Sequence, residues 1–177
     1  PDTRAFLQGF EDRDIPVGVV VLDSPWETFY NTFTPNPERY PEFSTMVSDF
    51  AEKDVRVVVW VTQMINATNF DLEPGGDIYP GSSPDYETAL GCGYFVNDGN
   101  QYGWWKGQGS AIDFFDPDAV VYWHRLQDRA LDLGISGFKR DFAESYIEEV
   151  PIRTAAGEKT PQEYSAAYDE DRYRYAG

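Results

Sequence analysis

Three short aliphatic runs, each followed within a few positions by polar residues, set the rhythm of this chain. They are residues 17–22 (Val-Gly-Val-Val-Val-Leu), 55–61 (Val-Arg-Val-Val-Val-Trp-Val) and 133–138 (Leu-Gly-Ile-Ser-Gly-Phe). Continuous apolar runs of this length, without strict alternation, predict strands buried on both faces of a parallel sheet. Helical spacing fills the gaps between them. Phe6, Leu7 and Phe10 predict a helix over 3–13, broken at Asp14-Ile15-Pro16. Ser44 is the expected N-cap of a helix to about Lys53, with Met46, Val47 and Phe50 on its inner face. A third helix is expected from Asp118 to about Leu133, stopped by Gly134. Thr160-Pro161 forms an N-cap and N1 pair for a last helix carrying Tyr164, Ala167, Tyr168 and Tyr175.

Residues 63–116 stand apart as a long, irregular insert rich in Gly, Pro, Asp and Asn. Within it, residues 86–90 predict one or two helical turns, and 94–102 a small hairpin turning at Asn97-Asp98-Gly99. Strands alternating with helices imply an α/β fold with a parallel sheet. Each strand run ends in a polar cluster: Asp23, then Thr62-Gln63, then Lys139, Asp141 and Glu144. In parallel architectures these ends share one face, and that face carries the site. Three such ends with long loops favour part of a (β/α)8 barrel over a Rossmann fold. No Gly-x-Gly-x-x-Gly follows the first strand and no Walker motif occurs, so nucleotide binding is not indicated.

Composition narrows the class of partner. At 177 residues the chain is long enough for one domain with a real core. A net charge of −17 argues against nucleic acid and anionic membranes. Aromatics make up 16% of the residues, a composition that suits sugar ligands as well as ordinary cores. Cys92 is the sole cysteine and His124 the sole histidine, so an internal disulfide, a cysteine zinc site and a Ser-His site are all disfavoured. No cofactor is expected. The apolar runs are too short to cross a membrane and no signal peptide is visible. A soluble protein is therefore expected, with a cytoplasmic location slightly favoured.

The chemistry concentrates in residues 137–144, Gly137-Phe138-Lys139-Arg140-Asp141-Phe142-Ala143-Glu144. Lys139 and Asp141 have the same parity, so on a strand both side chains lie on one side. A cation beside a carboxylate keeps it ionised. An ionised Asp at a strand's C-terminal end can serve as a nucleophile, a base or a metal ligand.

Four segments in order carry a resemblance to a known family. They are residues 15–26 (Ile-Pro-Val-Gly-Val-Val-Val-Leu-Asp-Ser-Pro-Trp) with 33–41, residues 53–61, residues 105–117 (Trp-Lys-Gly-Gln-Gly-Ser-Ala-Ile-Asp-Phe-Phe-Asp-Pro), and residues 137–144. The succession resembles the catalytic barrel of glycoside hydrolase family 31, the retaining α-glycosidases, and within it the α-xylosidase-like members. The resemblance covers residues ~15–144 and implies that residues 1–177 are the N-terminal or central part of a (β/α)8 barrel. By that resemblance Asp141 is the catalytic nucleophile and Glu144 a supporting acidic residue. Asp23, Trp26, Trp60, Lys139, Phe142 and Trp105 are implied as substrate-binding, with no metal. The chain departs from its relatives at Ala143, where close members have Gly, and at Arg140, often small and polar there. Arg140 points away from Asp141 on a strand and is expected to pair with a neighbouring carboxylate.

The substrate so implied is an α-xyloside, α-glucoside or related oligosaccharide. Retaining hydrolysis needs a second carboxyl ~5–5.5 Å from the nucleophile to protonate the leaving oxygen. In the family that acid lies on a later βα unit, expected beyond Gly177. The chain alone is therefore expected to be inactive and to need the rest of its barrel. Two other readings stay open at this stage. One is a metal-dependent barrel enzyme using Asp23, Asp141 and Glu144 as Mg²⁺ ligands, against which Lys139 argues as a competing cation. The other is a non-catalytic carbohydrate-binding protein. Neither the oligomeric state nor the sugar is legible.

Overall fold

The computed structural model describes residues 3–70, 81–142 and 146–176. Helix α1 (Thr3–Glu11) leads into strand β1 (Val19–Leu22), then α2 (Phe43–Ala51), β2 (Arg56–Val61) and β3 (Met64–Asn69). Next come α3 (Tyr86–Gly91), a 3₁₀ turn (Val96–Gly99), β4 (Tyr102–Trp104), β5 (Gly107–Ala111) and α4 (Pro117–Leu131). The last elements are β6 (Gly137–Arg140), β7 (Ile152–Thr154), β8 (Gly157–Lys159) and α5 (Pro161–Ala176).

The three aliphatic runs contribute strands to one parallel sheet, in the order β1-β2-β6. The third strand is shifted toward the polar end: Gly137–Arg140 pair, while residues 133–136 lead into it outside the strand. Val20 pairs with Val57 and Trp60 with Lys139. Central β2 is covered on both faces, with Val57, Val59, Trp60 and Val61 buried. β1 is not: Val19 is 49% and Val21 47% exposed, against the expectation of burial on both faces. The reason is position. β1 lies at a sheet edge, and among the described residues only one of its faces, that of Val20 and Leu22, is covered. The sheet does not close on itself, as befits part of a barrel.

The described residues of the 63–116 insert, 63–70 and 81–116, hold more order than an irregular loop. β3, β5 and β4 make an antiparallel sheet in the order β3-β5-β4. Its turn is Trp105-Lys106, between β4 and β5, so the hairpin lies over 102–111 and not over 94–102. Asn97 (φ 50°) and Asp98 (φ 57°) do take the left-handed conformation expected of the Asn-Asp-Gly turn, but no strands pair across it. Gly109 is required by packing: a Cβ there would lie 2.6 Å from the Ile65 carbonyl oxygen.

Helix starts follow local chemistry with two shifts. α4 begins one residue earlier, with Pro117 at N1 and the Asp116 carboxylate accepting from Asp118 N at 2.9 Å. α2 begins at Phe43 after Glu42, with no side-chain cap, so Ser44 is inside the helix. α5 starts as expected and adds a capping box: Thr160 Oγ1 accepts from Glu163 N, while Glu163 Oε2 accepts from Thr160 N. Its buried Tyr164 and Tyr168 face the core, and Arg140 pairs with Asp169 of α5, the neighbouring carboxylate expected for it. Among the described residues, no helix is long and apolar enough to cross a membrane.

Candidate active site

Asp23, Thr62-Gln63 and Asp141 each follow the last residues of a parallel strand, so all three arrive at one edge of the sheet. The ladder carries Asp141 into place, because its backbone N–H still donates to Val61 O at 3.0 Å. Same-parity placement then brings Lys139 beside it. Lys139 Nζ lies 2.7 Å from Asp23 Oδ2 and 3.8 Å from Asp141 Oδ2. Its hydrogen bond to Asp23, reinforced by the charge of Asp141, raises the lysine's pKa and so keeps the ammonium charged. The three side chains are 43%, 56% and 35% exposed, accessible to a ligand and to solvent.

Two donors fix the Asp141 carboxylate. Trp60 Nε1 donates to Oδ2 at 2.9 Å, and Phe142 N donates to Oδ1 at 3.2 Å. Each oxygen keeps lone-pair capacity for a reacting partner. Phe142 itself sits in the left-handed region, φ 60°, a conformation uncommon for a bulky residue. Its carbonyl accepts from the buried Gln63 Nε2 at 2.9 Å.

Aromatic rings wall this carboxylate on one side. Trp60 and Trp104 stack in parallel with centroids 6.1 Å apart, and Tyr30 meets both edge-on at 5.9 and 5.1 Å. Phe142 contacts Trp105 at 4.5 Å and Tyr146 at 5.3 Å. The antiparallel sheet of the insert delivers Trp104 and Trp105 to this wall.

The structure thus brings together Asp23, Trp60, Lys139, Asp141, Phe142 and Trp105. Trp26 is different. It is fully buried, and its indole N–H donates to Trp60 O at 2.7 Å, so it supports Trp60 from behind and has no surface to offer a ligand. Trp60 is buried too and presents only its N–H edge, through Asp141. Glu144 and Ala143 lie outside the described residues. Gln63, Tyr30 and Tyr146 were not singled out as site residues from the sequence. For Gln63 a signal existed, its place at a strand's polar end; for the two tyrosines none did. Among the described residues, no three His, Cys, Asp or Glu side chains are grouped to hold a metal ion. Lys139 stands between Asp23 and Asp141, two of the three carboxylates that the metal reading requires.

Comparison with known proteins bears on the family and the fold. Residues 1–174 match the family model of the glycosyl hydrolases family 31 TIM-barrel domain. An alpha-xylosidase of Emericella nidulans is 28% identical over 145 residues, which is 78% of this chain and 17% of that protein. Alpha-glucosidase 2 of Bacillus thermoamyloliquefaciens is 30% identical over 149 residues, 82% of this chain and 18% of that one. The chain thus spans under a fifth of the length of these relatives. A family 31 dextranase of Flavobacterium johnsoniae, solved with glucose, superposes with a TM-score of 0.83 at 19% identity, covering 97% of this chain and 21% of that one. A family 31 alpha-xylosidase from a soil metagenome, solved with xylose, gives a TM-score of 0.76 at 17% identity, covering 97% and 25%. With parallel strands ending on one polar edge and a family model matched almost end to end, the chain belongs to the TIM-barrel domain of glycosyl hydrolases family 31.

Proposed function

We propose that this chain supplies the nucleophile half of a retaining α-glycosidase active site, with Asp141 as the nucleophile. The observation that carries the reading is the placement of Asp141: a half-buried carboxylate at a parallel strand's end, held by Trp60 Nε1 at 2.9 Å and flanked by a charged lysine at 3.8 Å. A carboxylate oriented in this way at a strand end can present an oxygen to an anomeric carbon, as nucleophilic attack requires. In the first step an Asp141 oxygen forms a bond to the anomeric carbon as the glycosidic C–O bond breaks. The leaving oxygen takes its proton from a second carboxyl, and water, deprotonated by that same group, later releases the sugar. That partner is expected on another βα unit of the full-length barrel.

The remaining roles follow from access and chemistry. Asp23 and Lys139, exposed and paired, offer an acceptor and donors to sugar hydroxyls. Phe142 and Trp105, half-buried, give apolar ring surface for a sugar face. The substrate class is α-xylosides, α-glucosides or related oligosaccharides, supported by the names of the curated relatives. The Mg²⁺ reading finds less support, because Lys139 already bridges Asp23 and Asp141. A stand-alone sugar-binding module is disfavoured by the parallel α/β sheet and the family.

The isolated chain is expected to be catalytically silent. An apolar groove lined by Phe6, Phe10, Ile15, Val19 and Val21 beside the β1 edge supports coverage by further barrel units. Assays of the full-length protein and of residues 1–177 on aryl α-xylosides and α-glucosides test both statements. Turnover by the isolated chain, or undiminished turnover in full-length Asp141→Asn, refutes the corresponding one.

A further inference from the structure

The residue after the proposed nucleophile is held in an uncommon backbone conformation, and one buried side chain holds it there. Phe142 has φ 60°, and its N–H donates to Asp141 Oδ1 at 3.2 Å. The same residue's ring meets Trp105 at 4.5 Å. Its φ and ψ therefore set two things at once: the rotamer of the carboxylate and the position of the aromatic wall.

Gln63 reaches across from the end of β2 to fix that residue. Its Nε2 donates to Phe142 O at 2.9 Å. A flipped amide would set its oxygen against the Phe142 carbonyl, two acceptors face to face, and in the orientation observed Thr62 Oγ1 donates to Gln63 Oε1 at 2.7 Å. Both Thr62 and Gln63 are completely buried. Their backbone is pinned as well: Asn31 Nδ2 donates to Thr62 O at 2.9 Å, and Ile112 N to Gln63 O at 3.1 Å. A relay results, from a fixed amide to the Phe142 carbonyl, through the Phe142 backbone, to the carboxylate.

We propose that Gln63, oriented by Thr62, is a positioning residue that sets the attack geometry of Asp141 through the Phe142 peptide. The proposal rests on the reading of Asp141 as nucleophile. Gln63 touches no reacting atom. Its loss releases Phe142 toward ordinary backbone conformations, withdraws the N–H from Oδ1 and shifts the carboxylate. Misplacing a reacting group by about 1 Å costs up to about a hundredfold in rate. Sugar affinity, which rests on Asp23, Lys139 and ring surface, is much less affected.

The test uses the full-length enzyme and whichever aryl α-glycoside it turns over. Gln63→Met keeps the volume and removes the donor; kcat is expected to fall about ten- to a hundredfold with KM nearly unchanged. Gln63→Glu is expected to be impaired at neutral pH, where the introduced carboxylate faces the Phe142 carbonyl. It should regain activity relative to wild type on acidification, as the protonated carboxyl becomes a donor. Thr62→Val should mimic Gln63→Met, and Thr62→Ser should restore function; this pair decides the matter if Gln63→Met does not fold. Wild-type kcat in Gln63→Met or Thr62→Val overturns the proposal, as does a Gln63→Glu defect that acid does not reverse or a loss confined to KM. Labelling the wild-type enzyme with a mechanism-based fluoroglycoside separates the two claims. A label on Asp141 with kcat unchanged in the Gln63 variant removes the positioning role alone, whereas a label on another residue removes both.

Discussion

Asp141 and Glu27 are both carboxylates that accept two hydrogen bonds near strand β1 or β6, yet they sit in opposite surroundings. Asp141 accepts from an indole and one peptide N–H, faces solvent and has Lys139 at 3.8 Å. Glu27 accepts from Thr32 N at 2.9 Å and Phe33 N at 2.7 Å, both on Oε2, while Oε1 has no protein partner. It is fully buried, and the nearby Arg129 is engaged by Asp85 in a bidentate pair at 2.6 and 2.8 Å. Burial pushes the Glu27 pKa up to about 8, opposed by its two backbone hydrogen bonds and reinforced by the Asp85 charge. Hydrogen bonds alone therefore do not keep a carboxylate ionised. Glu27, buried and with no cation of its own among the described residues, suits tying down the loop after β1, whereas Asp141 stands beside Lys139 and is open to solvent on one side.

The sharpest way to break the comparison is to neutralise each group in turn. Asp141→Asn in the full-length enzyme is expected to cut turnover by about 10⁴-fold while sugar binding persists, as read by single-turnover kinetics and titration with product sugar. Glu27→Gln is expected to act on stability, not on chemistry. Because the folded-state pKa of Glu27 lies above its ordinary 4.5, the folded state binds the extra proton between about pH 4.5 and pH 8. Its contribution is fully present below that window and declines by about 1.4 kcal/mol per pH unit as pH rises through it. Denaturant midpoints across pH 4–9 should show the amide variant losing that slope; an unchanged slope would assign the pH dependence elsewhere.

Lys139→Met tests the cation directly. Removing the charge between Asp23 and Asp141 should lower kcat/KM about tenfold, and a larger effect on KM than on kcat would make Lys139 chiefly a sugar ligand. The smallest effect is expected at Trp26. Trp26→Phe removes the N–H to Trp60 O and should cost about 1–2 kcal/mol of stability with KM unchanged. A raised KM without destabilisation would return Trp26 to the binding surface.

How much of this was legible in the chain differs by residue. Val57 and Val59 follow the buried-strand expectation, whereas Val19 and Val21, chemically alike, do not, because a β-branched run states strand formation and not the strand's place in the sheet. Trp105 reaches the site because the insert folds as an antiparallel sheet whose turn is Trp105-Lys106, a pairing that the Asn97-Asp98-Gly99 signal pointed away from. The turn residues did adopt their left-handed backbone, since that preference is local. Trp26 was implied as ligand surface only by the family resemblance, and burial behind Trp60 is information that no single segment contains.

The sequence by itself determined the order of strands and helices, the caps that start α4 and α5 within a residue, and the shared side of Lys139 and Asp141. These depend on periodicity and on contacts a few residues apart. Only the tertiary structure decided that Trp60 donates to a carboxylate 81 positions away and Gln63 to a carbonyl 79 positions away. It also decided which strand became an edge and which tryptophan kept a face free. Such pairings are fixed by strand register and by loop packing, where many chain segments compete for the same space, and neither is written in any local pattern.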